Sequence, residues 1–482
     1  MAKETFNINK EENFSDWYSS ILDTAKITDI RYNVKGFVVI RPWGAQIIEK
    51  MYQLYEKELQ KKGHVPSFFP TVIPEGNFKK ESCHVKGFSP EVFWLEKTND
   101  SEEKLALRPT SETAFYQLYN LWISSYRDLP LKIYQRANVF RLETKATRPL
   151  IRGREFLWIE SHNAFATLKE AENQVTEDIN ITETIMHKKF LIPFLPMKRP
   201  DWDKFPGSIY TIGSDTIMPD GKIIQQPSTH LLGQNFSKAF DVKFKTESES
   251  EEYVYQTCYG PAISRILSSV IAMHGDDSGL ILPFIISPIQ IVIVPIYSKK
   301  NSKKILQQTD KIKENLENQG FSVHIDSTDK RPGEKFFFWE MKGVPFRIEL
   351  GEKELNEKKV TFFIRDKKEK IKLLISKLEK EIPNLASDYD MRLLKKADKK
   401  LFGSIIDCNS KDMIKKALNN KKIARFNFCN SDKSGEKCAE FIEKELSSRV
   451  MGTRHDKIEK PTGKCIICNK KSNSIVYAGK SY

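Results

Sequence analysis

Residues 140–162, "FRLETKATRPLIRGREFLWIESH", crowd arginines, carboxylates, aromatic rings and an imidazole together. The second half of the stretch alternates. Successive side chains of a strand point to opposite faces, so residues two apart share a face. Without a bulge, Arg152, Arg154, Phe156, Trp158, Glu160 and His162 line one face, and Leu157, Ile159 and Ser161 the other. Arg141 and Glu143 pair in the same way before the loop "TKATRPLI", and the lengths suit a hairpin. Arginine forks match phosphate oxygens bidentately, and guanidinium or phenyl faces stack a base. Such groups are costly to bury without partners, and a ligand carrying both positive and negative charge would supply them. The plainer alternative is the outer face of an edge hairpin laced with salt bridges.

The elements around this hairpin must hold it in place. "AQIIEKMYQLYEKELQKKG" carries Ile47, Ile48, Met51, Leu54, Tyr55 and Leu59 at helical spacing, with Gly63 to end the helix. Prolines 66, 70 and 74 punctuate an extended segment, and "SETAFYQLYNLWISSY" predicts a second helix burying Ala114, Phe115, Leu118, Tyr119, Trp122 and Ile123. Strand, loop, strand follow from about residue 132 to 162. This first region closes near "HGDDSGLILPFIISP". "IQIVIVPI" then reads as a strand buried on both faces, followed by a lysine-rich helix over 302–318, "FSVHID", a helix near 333–342, "VPFRIELG" and "VTFFIRD". That alternation predicts a small α/β domain with a mostly parallel sheet ending near residue 370. "DKKEKIKLLISKLEKEI" reads as a charged helical link to a third domain holding five of the seven cysteines.

The net charge of +14 suits a nucleic-acid partner, although many lysines merely solvate a surface. With 39% hydrophobic and 29% charged residues, the chain has the composition of a soluble globular protein. No apolar run approaches the roughly 20 residues that span a bilayer, and the start lacks an apolar signal core, so no membrane role is expected. Sparse cysteines point to a reducing, cytoplasmic home. Neither a G-x-x-x-x-G-K-S/T phosphate loop nor a strand-linked G-x-G-x-x-G is present.

"FRLE", a loop and "RGREF" resemble motif 2 of the class II aminoacyl-tRNA synthetases, and "LRPTSET" resembles that class's amino-group loop. With "FLWIESHNAFAT", "LGQNFSKAF" and "HGDDSGLILP", the resemblance is to the prolyl-tRNA synthetase family, of the type found in archaea and eukaryotes. It spans the chain in order. It implies an α+β catalytic domain with an antiparallel sheet over residues 1–286, an α/β anticodon-binding domain over 287–385, and a small α+β zinc-binding-like domain over 386–482. It implies proline–tRNA ligase activity, with ATP, L-proline and tRNA(Pro) as partners, Mg²⁺ accompanying the phosphates, and a homodimer in which Pro70 matches the interface proline of motif 1.

Carried over by position, Arg141 would contact the α-phosphate and the substrate carboxylate, Glu143 the adenine end, and Arg152 the γ-phosphate. Phe156 and Arg265 would sandwich the adenine, and Arg141 and Arg265 are the catalytic candidates. In "CYGPAISR" the glycine-to-arginine spacing exceeds the family's by one residue. Thr110 and Glu112 match the amino-group loop, where a hydroxyl and a carboxylate can accept both N–H bonds of proline's ammonium. Trp158, Glu160 and His162 match the proline-pocket wall, with His230 and Ser264 beside it. Gln225 and Ser228 match the ATP loop, although Gln226 and Pro227 stand where the family has small residues. "CIIC" is a C-x2-C knuckle, and the family pairs it with an upstream pair, giving Cys429, Cys438, Cys465 and Cys468 as expected Zn²⁺ ligands. Tyr482 would lie toward the catalytic core.

The chain between His162 and Arg265 is too short for the editing insertion of the bacterial type. Each methylene changes discrimination by only about 1–3 kcal/mol. Activation of alanine, uncorrected by this chain, is therefore expected. Two other readings compete: a class II enzyme for threonine or serine, against which the Trp158–His162 wall argues, and a silent paralogue that only binds RNA, against which the intact Arg141, Glu143, Thr110, Glu112 and Arg265 argue.

Overall fold

The computed structural model describes residues 6, 8–84, 92–97, 99, 103–143, 146–298 and 300–482. Loop positions 144 and 145 and the first five residues, within the stretch read for a signal sequence, lie outside them. An eleven-stranded sheet forms the centre of the molecule. From one edge its strands run Val65–Pro66, Leu131–Phe140, Glu155–Phe165, Tyr255–Gly260, Lys222–Gly233, Tyr210–Ile217 and Leu195–Lys198. Four more strands from the C-terminal region complete it: Arg449–Arg454, Ser474–Ser481, Ile423–Phe428 and Ile405–Asp407.

The arginine-rich hairpin is antiparallel, from Phe140 opposite Glu155 to Leu131 opposite Ala164. Two helices brace it from behind. The helix Pro42–Lys61 begins on a proline, which needs no N–H partner in the first turn, and buries Ile47, Ile48, Met51, Tyr55 and Leu59. It shares one apolar core with the helix Ile263–His274, whose Ile266, Leu267, Val270 and Ile271 are fully buried. In the helix Glu112–Trp122 the expected stripe is rotated. Tyr116 is buried while Trp122 is 46% exposed, because the hydroxyls of Tyr116 and Tyr119 turn inward to His162.

The helix Leu168–Thr182 buries Ala171, Gln174, Val175, Asp178, Ile181 and Thr182, an i, i+3, i+4 stripe that is half polar. Asp178 accepts from Thr229 at 2.7 Å and Gln174 at 2.8 Å. Burial outweighs those bonds and pushes its pKa up from 3.8 to about 7. The native state therefore binds this proton more tightly than the unfolded chain. The resulting stability is complete below pH 3.8 and is lost as pH rises through about 7. Over that window the wild type should lose roughly 1.4 kcal/mol per pH unit relative to Asp178→Asn, read from urea unfolding at several pH values. Parallel curves for the two proteins would exclude this.

The second domain has five strands in the order Val323–Ile325, Ile291–Pro295, Phe346–Leu350, Lys359–Ile364 and Glu369–Leu374. Its first two pairings are parallel and its last two antiparallel, so the sheet is mixed rather than mostly parallel. The expected helical link begins as its edge strand. Ile371 and Leu373 face the core while Lys370 and Lys372 face solvent, and the helix Leu378–Phe402 starts only afterwards. Among the described residues no helix is long and apolar enough to cross a membrane.

Candidate active site

Register places the chemistry in transverse rows. His162 lies opposite Ile133 on one side and Cys258 on the other; Cys258 lies opposite His230, and His230 opposite Thr211. Cross-strand partners share a face, so His162, Cys258 and His230 form one floor. Trp158 lies opposite the small Ala137 and packs over Gly260, where an added Cβ would sit 3.4 Å from the indole. His162, Cys258, His230, Trp158 and Gly260, with Thr110, Glu112, Glu160 and Phe205, enclose a cavity of about 160 Å³.

The cavity walls are tied down by buried polar bonds. Ser111 donates to Glu160 through its hydroxyl at 2.5 Å and its backbone N–H at 3.2 Å, and Gln135 adds a third bond at 2.8 Å. Burial alone would raise the Glu160 pKa, but bonds from His162 and Ser111 and the charge of Arg108 bring it below the usual value. His162 is 1% exposed, with Nδ1 3.2 Å from the Tyr116 hydroxyl and Nε2 3.3 Å from Glu160. It is thus both a satisfied core histidine and part of the cavity wall. Thr110 donates to Glu112, which is buried. The Trp158 indole N–H is buried with no partner among the described residues, a cost that a ligand or water would remove. Burial holds His230 neutral, its pKa depressed to about 3; Nδ1 meets Thr211 at 2.8 Å and Nε2 meets Ser228 at 3.0 Å.

Arg141, Phe156, Gln225 and Arg265 also line a second, larger cavity of about 600 Å³. Arg152 grips Glu143 there at 2.9 and 3.1 Å and donates to the backbone oxygen of Tyr482 at 2.8 Å. Arg265 donates to the carbonyls of Gln225 at 3.1 Å and Ile151 at 3.3 Å. Its pKa is lowered to about 10 by burial, then by Arg141 and Arg152. Arg141 has exposed surface in the open cleft, yet protein crowds around it and burial lowers its pKa too. Both remain charged at neutral pH. Four arginines, Arg141, Arg152, Arg265 and Arg449, line this cavity with Glu143, Asp215 and Glu443, and their excess of guanidinium donors favours a polyanionic occupant.

The bulge between Gln225 and Ser228 reconciles the unusual Gln226–Pro227 pair with strand geometry. Pro227 has no N–H to lose from the ladder, and the extra residue turns Gln225, Ser228 and His230 to one side. Ser264 is placed differently from the others. Its hydroxyl accepts from the Leu157 backbone N–H at 3.3 Å, and it borders a neighbouring cavity behind Arg265 rather than the Trp158 cavity. Sequence reasoning passed over Ser111, Gln135, Tyr116, Cys258 and Phe205, and also the Arg199–Asp215 pair. Alternation could have flagged Gln135, which stands directly opposite Glu160.

Cys429, Cys438, Cys465 and Cys468 converge, with all four Sγ atoms within 4.8 Å of one another. Cys429 follows the strand Ile423–Phe428, Cys438 lies in the helix Glu436–Leu446, and the other two occupy a turn closed by a Cys465 N–H to Lys470 bond of 2.8 Å. Four converging thiols with two of them buried form a donor set suited to zinc.

Three family models match the chain: the tRNA synthetase class II core domain (G, H, P, S and T) over residues 93–274, an anticodon binding domain over 290–385, and the C-terminal domain of prolyl-tRNA synthetase over 411–482. The proline–tRNA ligase of Thermofilum pendens is 47% identical across the full length of both chains. That of Methanopyrus kandleri is 42% identical over 97% of this chain and 96% of its own. A Giardia lamblia prolyl-tRNA synthetase solved with prolyl-adenylate superposes with a TM-score of 0.95 at 37% identity, covering 99% of this chain and 100% of its own. The Cryptosporidium parvum enzyme with L-proline and AMP gives 0.92 at 33% identity, covering 100% of this chain and 99% of its own.

Proposed function

The chain belongs to the prolyl-tRNA synthetases, and we propose that its two joined cavities are where proline meets ATP and the prolyl group passes to tRNA(Pro). The single observation carrying this reading is that Arg141 and Arg265 border both the small Trp158 cavity and the larger arginine-lined one. A carboxylate held in the first would face a phosphate held in the second.

Proline's ammonium would donate to Thr110 and Glu112, and its ring would rest on Trp158 above Gly260. Arg141 would hold the carboxylate against the α-phosphate, Phe156 and Arg265 would sandwich the adenine, and Arg152 would meet the γ-phosphate. A carboxylate oxygen then attacks the α-phosphorus as its bond to the bridging oxygen breaks, and pyrophosphate leaves. Next the terminal ribose hydroxyl of tRNA attacks the prolyl carbonyl carbon, releasing AMP and a proton. Neither step needs a protein nucleophile; positioning and electrostatics carry the rate. Glu143 is the carboxylate suited to share an oxygen with Mg²⁺, because a carboxylate oxygen accepts more than one partner. Mg²⁺ bound with ATP neutralises phosphate charge. The four cysteines would hold a structural zinc.

Several features support a homodimer: Pro70 is exposed at the sheet edge beside Phe68, 90% exposed, and Val65, 60% exposed, with Leu121, 72% exposed, on the neighbouring helix. The domain limits 1–286, 287–385 and 386–482 and a cytoplasmic home belong to the same reading.

The test is amino-acid-dependent exchange of pyrophosphate into ATP, run across all twenty amino acids. Proline should give the strongest signal and alanine a weaker one, and alanyl-tRNA(Pro) should persist with the purified protein. A strongest signal from threonine or serine, or silence with every amino acid, would overturn the assignment. Sedimentation equilibrium on the same preparation reads the dimer.

A further inference from the structure

We infer that Arg199 is a positioning residue that transmits the docking of the C-terminal domain to the nucleotide cavity through Gln225. Arg199 directly follows the strand Leu195–Lys198, and its side chain is 1% exposed. Its fork makes four bonds to three different strands. Nη1 and Nη2 grip Asp215 at 2.5 and 2.6 Å, Nη1 also donates to the Met451 carbonyl at 2.8 Å, and Nη2 to Gln225 Oε1 at 2.8 Å. Asp215 lies in the strand Tyr210–Ile217, Gln225 in Lys222–Gly233, and Met451 in the C-terminal strand Arg449–Arg454.

A buried ion pair by itself is weak evidence of any purpose, since its desolvation offsets much of its attraction. The two further bonds distinguish this one. Asp215 orients the guanidinium, and the remaining N–H groups then reach outward, one to each domain. Gln225 is thereby fixed at both ends, its amide by Arg199 and its carbonyl by Arg265. Asp215, Gln225 and Met451 all border the larger cavity.

Two glycines make the arrangement sterically possible. A Cβ at Gly213 would overlap the Arg199 guanidinium. Gly213 is not among the positive-φ glycines, so room for Arg199, not backbone conformation, explains it. Gly452 has φ +124°, and a Cβ there would run into the Lys198 carbonyl, so glycine sets the close approach of the two domains' strands. Loss of that approach would remove the Met451 acceptor, free the fork to turn, and release the Gln225 amide.

The inference rests on the ATP-side reading of Gln225, and the experiment separates the two. Arg199→Lys, Gln225→Ala, their double variant and Gly213→Ala are compared with wild type by pyrophosphate exchange, scoring KM for ATP and for proline. Lysine keeps the charge against Asp215 but cannot make all four bonds. Losing one charge-assisted bond to Gln225 should raise KM for ATP roughly tenfold, with KM for proline within about twofold. The double variant should be no worse than Gln225→Ala alone, and Gly213→Ala should reproduce the ATP defect without altering charge. A purely structural arginine would instead raise both KM values and add its loss to that of Gln225→Ala; either result overturns the inference while leaving the ATP reading intact. An unchanged ATP KM in Gln225→Ala removes the premise itself, and the inference with it. If Arg199→Lys does not fold, Gly213→Ala paired with Gln225→Ala completes the same cycle.

Discussion

Arg141→Ala should lower proline-dependent pyrophosphate exchange by roughly 10²–10³-fold, mostly in kcat, the loss typical of removing one preorganised transition-state donor. Arg141 follows the strand Leu131–Phe140, and its backbone N–H is fixed on the Arg154 carbonyl at 2.8 Å. Its guanidinium lies 5.1 Å from the Phe156 ring centre and 5.7 Å from that of Trp158, where the two cavities meet. Its side chain donates through Nε to the Pro109 carbonyl at 3.2 Å. Negative charge builds on the phosphoryl oxygens as the carboxylate attacks, so the guanidinium's contribution grows toward the transition state. Arg141→Lys should fall between alanine and wild type, because a point charge replaces a bidentate fork. Exchange by Arg141→Ala within threefold of wild type would remove this residue from the chemistry.

The second large effect concerns the cysteine cluster. Purified protein should contain one zinc per chain, measured by elemental mass spectrometry, and Cys465→Ser should lose it. Thiolate zinc contributes on the order of 10 kcal/mol to local folding, as much as the whole net stability of a typical domain. Chelation should therefore open residues 411–482 to protease. The damage should spread, because the strand Ser474–Ser481 pairs on both sides within its own domain and also touches Lys222–Gly233 of the catalytic sheet. Ser447, Arg449 and Tyr482 border the larger cavity, so KM for ATP should rise with metal loss. Chelated protein that keeps both protease resistance and ATP affinity would refute the zinc assignment.

What could be read in the sequence was local periodicity. The residues 156, 158, 160 and 162 alternate onto one face because a strand has no other way to present them, and a hairpin loop of fixed length decides what they oppose. The edge strand Glu369–Leu374 alternated as well, but its lysines resembled a solvated helix, since an edge strand and an exposed helix both keep charge on one side. In the helix Glu112–Trp122 the stripe was misplaced because tyrosine buries when its hydroxyl finds a partner, which no periodicity reveals. Arg199 was invisible for a different reason. Its partners lie 16, 26 and 252 residues away, and only the sheet order brings them together. Positional likeness named the four cysteines; their convergence came from a helix and a turn that sequence spacing does not measure.

The larger cavity is bordered by groups from opposite reaches of the polypeptide: the hydrogen bond from Arg152 to Tyr482 spans 330 residues. During synthesis, a nascent chain that already displays both halves of the arginine hairpin still lacks one wall of this cavity. On the proposed reading of that cavity, competence to form adenylate should arrive late, after loop closure on the scale of the whole chain. Prematurely terminated copies that stop before residue 449 would carry Arg141, Arg152 and Arg265 yet lack that wall, so unfinished copies should contribute little stray adenylate or pyrophosphate.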